Sequence, residues 1–142
     1  MEIADVRRRV RGAIENARKE GVERRERSDG AAKAYTLFLE RQAVPTFRLV
    51  AVALTGEGLR FNVSTPAESV RLSSEGNAED YLELALDSSQ DPPAVMGRTS
   101  RGRGRRAFTS ERPVRDGAAV GELTDEDVLE FLVAGIGTLV ER

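Results

Sequence analysis

The sequence predicts an α+β fold in which helices and strands are segregated along the chain. Three observations carry this prediction: a helical spacing of apolar residues over 1–57, an alternation of apolar and polar residues over 58–111, and an amphipathic helix with a clear start over 122–142. A chain of 142 residues can bury one hydrophobic core and is too short for two independent cores. We therefore expect a single domain that spans residues 1–142.

The N-terminal helical region is predicted to contain one or two helices. Ile3, Val6 and Val10 recur at steps of three and four, which places them on one side of a helix. From Arg18 to Gly30 the sequence has only one sizeable apolar residue, so this stretch is either solvated on nearly all sides or packed against another chain. Ser28-Asp29-Gly30 predicts a break or a weak joint between two helical pieces.

Residues 45–56 fit both a strand and a helix. Their β-branched residues favour a strand, whereas the apolar residues keep a helical spacing and Pro45 suits the first turn of a helix. We predict a helix here, with an end or kink of the preceding helix near Pro45. The apolar residues with this spacing are Val44, Phe47, Val50, Ala51 and Leu54.

The middle of the chain predicts a five-stranded antiparallel meander. From Leu59 the apolar period changes to two, and the predicted strands are separated by turn residues. The third strand has an apolar side with Leu82 and Leu84 and a polar side with Glu83. The fourth and fifth strands are predicted at 94–99 and 105–110, with Arg101 to Gly104 at the tip between them.

The C-terminal helix has the best-defined start. Thr124 is a predicted N-cap, and Asp127 stands at the position that completes a capping box. Gly135 and Gly137 are costly inside a helix, so we expect them to allow close approach to a neighbouring backbone. The apolar residues predicted to form its buried face are Val128, Leu129, Leu132, Ile136, Leu139 and Val140.

The composition excludes most familiar kinds of catalytic site. The chain has no cysteine and no histidine, which removes disulfides, thiolate nucleophiles, sulfur or imidazole metal sites and the Ser-His-acid triad. No glycine-rich nucleotide-binding signature occurs, and no apolar run approaches the length of a membrane span or a signal peptide core. We therefore expect a cytoplasmic protein that is not an enzyme and uses no cofactor, metal or membrane.

An arginine-rich hairpin is the first candidate site. Residues 98–115 contain seven bases and one acid, whereas 116–142 contain one base and seven acids, in a chain of net charge −2. The arginines could bind the phosphates of a nucleic acid, or they could pair with acids of the same fold. Phe108 is the only aromatic residue nearby, which weakens the nucleic-acid interpretation. The residues predicted to bind nucleic acid in this interpretation are Arg101, Arg103, Arg105 and Arg106.

Four carboxylates on or near the third strand form a second candidate site. Glu79, Asp80, Glu83 and Asp87 could hold magnesium for phosphoester chemistry. No lysine follows these acids, although the usual nuclease arrangement places one there. Surface charge that opposes aggregation is the competing explanation.

The residues thus lead to one preferred function and two alternatives. The preferred hypothesis is a protein–protein interaction or self-associating module, which forms a homo-oligomer or binds a protein partner through its N-terminal helices. The first alternative is an accessory protein that binds nucleic acid through the arginine-rich hairpin. The second is a carboxylate-metal enzyme.

Overall fold

The computed structural model describes residues 1–141 and has the α+β order that the sequence predicts. The last residue of the predicted 122–142 region, Arg142, lies outside the described residues. The elements are α1 (Ile3–Phe38), a π turn (Leu39–Ala43), α2 (Val44–Gly56), β1 (Phe61–Ser64), β2 (Val70–Ser74), β3 (Tyr81–Asp87), β4 (Ala94–Arg103), β5 (Arg106–Pro113) and α3 (Asp125–Val140).

Helices α1 and α2 follow each other without a loop, joined by the π turn. The predicted break at Ser28-Asp29-Gly30 is wrong, because α1 continues through these residues. Extending an existing helix costs far less than starting a new one, and the buried turns that begin near Tyr35 hold the chain in helical form on the C-terminal side. The predicted helix over 45–56 is confirmed as α2.

The π turn explains how the helix tolerates Pro45. A proline has no amide N–H to donate, and its ring crowds the carbonyl four residues earlier in the chain. The turn before it is widened, so that the amide of Val44 donates to the carbonyl of Leu39, five residues back. Pro45 then lies in the first turn of α2.

The five strands form one antiparallel sheet in the order β1-β2-β3-β4-β5, as predicted. One face of the sheet is covered by the helices, with α2 over β1 and β2 and α3 over β3 and β4. Tyr35 and Phe38 at the end of α1 complete this core. The buried strand residues on the covered face are Val70, Leu72, Leu82, Leu84 and Val95.

The hairpin between β4 and β5 is longer and tighter than predicted. The tip was expected over Arg101 to Gly104, but Arg101 and Arg103 belong to β4, and only Gly104 and Arg105 form the turn. Gly104 has a φ of 61°, which glycine adopts readily and which suits a two-residue turn between antiparallel strands. The strands can therefore pair up to Arg103 and Arg106.

Helix α3 begins as the sequence predicts. The Thr124 hydroxyl accepts from the amide of Asp127, and the Asp127 carboxylate accepts from the amide of Thr124 at 2.9 Å. Gly135 allows the expected close approach, although to the side chain of Leu82 rather than to a backbone. A Cβ at Gly137 would meet nothing within 4 Å, so the same expectation is wrong there.

Candidate functional site

The first candidate surface is an N-terminal arm, which we define as residues 3–30 of α1. No side chain of the arm is buried, and the first buried residue of the helix is Tyr35. At 1.5 Å per residue the arm is about 42 Å long. Its apolar residues are uncovered, with Ile3 70 % exposed and Val10 52 % exposed. The arm thus presents an apolar stripe that the rest of this copy does not cover.

Two arginines of the arm attach its C-terminal end to the loop between β3 and β4. Arg27 donates two hydrogen bonds to the Asp91 carboxylate, both at 2.9 Å, and Arg24 lies 3.5 Å from the same group. The hydrogen bond from Arg27 lowers the pKa of Asp91 and raises the pKa of Arg27. The sequence does not predict this contact, because Asp91 and Arg27 are 64 residues apart in the chain.

The second candidate surface lies on the outer side of the α2–α3 layer. Helix α2 has one charged residue, Arg48, and α3 has one between Val128 and Val140, Glu130. Helices that are apolar on nearly all sides are normally buried on nearly all sides. Here several large apolar side chains are exposed, and we call them the helix-layer face: Leu49, Val52, Leu129, Val133 and Val140.

The apolar face predicted for α3 is therefore only partly right. Val128 and Leu132 are buried against the sheet, but Leu129 and Val140 are exposed at 38 % and 46 %. Phe131 is buried and was missed, although its spacing of three from Val128 fits the same helical side. Its ring fills the space beside Gly97 of β4, where a Cβ would collide with it.

The third candidate surface is the β4–β5 hairpin, which contains the predicted arginines. Residues paired across the two strands share a face of the sheet, and Arg101 pairs with Phe108 while Arg103 pairs with Arg106. Arg112 pairs with Gly97 and lies on this same face. The structure therefore brings three of the four predicted arginines together with Phe108, whose ring is exposed.

Acids neutralise the base of this hairpin but not its tip. Arg98 lies 3.6 Å from Glu111, and Arg115 lies 3.1 Å from Asp127. Arg101 donates to the backbone carbonyl of Glu141. Within residues 1–141, Arg101 therefore forms no ion pair, and neither do the four other arginines near the tip, Arg103, Arg105, Arg106 and Arg112.

A groove runs between this hairpin and α3. It has a volume of about 270 Å³ and is bordered by Arg112 and by the hydroxyl-bearing residues Thr99, Ser110 and Thr138. On the α3 side the groove is lined by Ala134, Gly135 and Thr138. None of the residues that line this groove is acidic, so it could hold an anionic group.

The predicted carboxylate site is dispersed. Glu83 accepts from Arg71 at 2.6 Å, and this guanidinium also lies 4.1 Å from the centre of the Tyr81 ring. Asp80 accepts from the amide of Gly102 at 2.8 Å, and Asp87 accepts from Ser89 and Gln90 in the next loop. Across the described part of the chain, no three acidic side chains converge where a metal ion could bind.

The uncovered face of the sheet carries charges that alternate in sign across the strands. Arg71, Glu83, Arg98 and Glu111 lie in one row, since each is paired with the next across neighbouring strands. The nearby Tyr81 hydroxyl, and after it the carboxylates of Glu111 and Glu83, raise the pKa of Arg98. Opposite charges side by side stabilise the pairing and leave this face nearly neutral.

Among the helices described, none combines the length and the apolar character needed to cross a membrane. The chain matches no family model, no curated protein and no solved structure.

Proposed function

We propose that this protein is a non-enzymatic, self-associating interaction module that binds a second copy of itself through the N-terminal arm. The observation that carries the proposal is the arm itself, 28 helical residues with exposed apolar side chains and no buried one. Tertiary packing, rather than intrinsic propensity, stabilises most protein helices. A helix of this kind gains that packing when another chain covers its apolar stripe.

The opposite net charges of the arm and of residues 116–142 support a second copy of the chain as the partner. The arm has nine bases and six acids, whereas residues 116–142 have one base and seven acids. In this copy the arm forms no ion pair with the described acids of 116–141, and among residues 1–141 its ion pairs outside the arm all go to Asp91. A second copy offers the arm an acidic surface of the same composition. The proposal includes a cytoplasmic location, which fractionation of cells that express the protein would test.

The test is a mass measurement on matched variants. Light scattering at micromolar concentration should give at least twice the mass of one chain. Val10→Asp should weaken association by on the order of a hundredfold, because an unpaired carboxylate buried in an apolar contact costs several kcal/mol. Asn16→Asp adds the same charge about 120° around the helix from Val10, outside the apolar stripe, and should weaken association much less. A wild-type protein that stays monomeric up to high micromolar concentration would refute the proposal.

A second candidate function is nucleic-acid binding by the β4–β5 hairpin. The observation in its favour is that Arg101, Arg103 and Arg106 lie on the same face of the hairpin as the exposed ring of Phe108. Arginines that form no ion pair are available to phosphates, and an aromatic ring can stack on a base. One stacking ring is few for a protein that binds single strands, so this function ranks second.

The test compares two variants with equal changes in charge. Replacing Arg101, Arg103, Arg105 and Arg106 with alanine should abolish retention of single-stranded DNA or RNA at low salt. It should also reduce the slope of log affinity against log salt by up to about 3, for four lost phosphate contacts. The control replaces Arg7, Arg8, Arg9 and Arg11 with alanine. Equal retention by both variants would show that only net charge matters and would refute a specific site.

A further inference from the structure

Two apolar surfaces of this protein lack a cover, the arm and the helix-layer face. We infer that they cover each other between copies, so that the arm of one copy lies along the helix-layer face of a second copy. This inference rests on the proposed function, because it names the surface that receives the arm. In this arrangement an amphipathic helix lies with its apolar side on an apolar surface, and residues three and four apart provide the contacts.

The two surfaces match in length. The apolar stripe of the arm extends from Ile3 to Ala17, which corresponds to about 22 Å of helix. Helix α3 has 16 residues and is about 24 Å long. Leu49 and Val52 widen this surface onto α2, which contacts α3 along the same layer. The stripe can therefore lie against the face over most of its length.

The two surfaces also match in charge. Next to its stripe the arm carries four exposed arginines within five residues, Arg7, Arg8, Arg9 and Arg11. Among residues 1–141, the exposed charged residues close in sequence to the helix-layer face include the acids Glu57, Glu126 and Glu130 and the base Arg48. Basic residues beside one apolar surface and acidic residues beside the other favour this pairing over a pairing of like surfaces.

The area is sufficient for a stable dimer. The five large side chains of the helix-layer face are between 38 % and 71 % exposed. Covering them and the matching part of the arm would remove on the order of 800 Å² from water for each arm. A two-fold dimer contains two such contacts, because each copy both gives and receives an arm. Its total of roughly 1,600 Å² equals a standard protein interface.

Two other pairings of these surfaces are less favourable. An arm paired with another arm would bring together two helices that each have an excess of three positive charges, and it would leave the helix-layer face uncovered. A helix-layer face paired with another would leave the arm uncovered. The arm-to-face contact covers both surfaces with one interface.

The test uses the absence of cysteine, since introduced thiols are then the only ones in the chain. Val10→Cys places a thiol on the arm, and Val133→Cys places one on the helix-layer face; both positions are exposed, so both variants should fold. A short bismaleimide should cross-link chains in an equal mixture of the two variants, several-fold above the yield from either variant alone. Thr109→Cys, on the uncovered face of the sheet, is the control for random cross-linking when mixed with Val10→Cys.

Each remaining outcome identifies what has failed. Cross-linking of Val10→Cys with itself would mean that arm pairs with arm, which overturns this inference and leaves the proposed self-association intact. Cross-linking of Val133→Cys with itself, in an assembly that Val10→Asp does not weaken, would overturn both. An assembly seen by light scattering in which the mixture gives no more product than the Thr109→Cys control would overturn the inference alone.

Discussion

At the scale of single residues, Tyr35 links the long helix to the sheet. Its side chain is only 5 % exposed, and its hydroxyl donates to the backbone carbonyl of Glu68. Glu68 and its neighbour Ala67 both have positive φ values, 59° and 44°, a conformation that residues other than glycine adopt only with strain. The hydrogen bond from Tyr35 therefore helps to hold a strained turn between β1 and β2.

Burial raises the pKa of Tyr35 to about 12, and the nearby carboxylates of Glu68 and Glu83 add to this shift. The folded state thus keeps the phenol neutral at a pH where the unfolded chain ionises. This contribution to stability is fully present below pH 10 and is lost as the pH rises from about 10 to about 12. A shift of two units corresponds to roughly 2.7 kcal/mol.

We predict that Tyr35→Phe reduces the loss of stability in alkali. At pH 7 the free energy of unfolding of the variant should be about 1 kcal/mol lower than that of the wild type, because the hydrogen bond to Glu68 is lost. Its free energy of unfolding should then fall less than that of the wild type between pH 9 and pH 11.5. Urea unfolding at both pH values measures the difference. Parallel pH dependence in the two proteins would contradict the assignment of this loss to Tyr35.

At the scale of elements, the sequence predicts structure well where neighbouring residues alone determine it. The start of α3 depends on Thr124 and Asp127, three residues apart, and the alternation in β3 is visible within seven residues. The break expected at Ser28-Asp29-Gly30 fails because local preference there is weaker than the continuation of a helix that is fixed further along. Local sequence does not contain that information.

In the β4–β5 hairpin, too, the sequence predicts what neighbouring residues determine and not what distant residues determine. The sequence identifies the arginines of the hairpin, but their common face depends on the register of β4 and β5. That register is set by the two-residue turn at Gly104 and Arg105, whose length could not be predicted from composition. The ion pairs of the hairpin also depend on tertiary structure. Glu111 of β5 pairs with Arg98 of β4, and Asp127 of α3 pairs with Arg115.

At the scale of the whole molecule, the protein consists of a packed body and an arm whose side chains are all at least partly exposed. The body contains the buried core, with α2, α3 and the sheet around it. Beyond its attachment at Asp91, the arm relies on its own helical hydrogen bonds, which stabilise an isolated helix only marginally. The arm and the body should therefore differ in how their local stability responds to protein concentration.

We predict that hydrogen exchange in the arm depends on protein concentration. In a dilute sample of single copies, amides of residues 3–23 should exchange quickly, because the helix opens without disturbing any core. When association covers the arm, opening first requires dissociation, and exchange should slow by at least about tenfold. Strand β3, at the centre of the sheet, is the internal reference and should exchange slowly already in the dilute sample, because its amides open only when the core unfolds. If scattering shows assembly while exchange in the arm remains unchanged, association uses another surface, since a covered helix cannot exchange as fast as a free one.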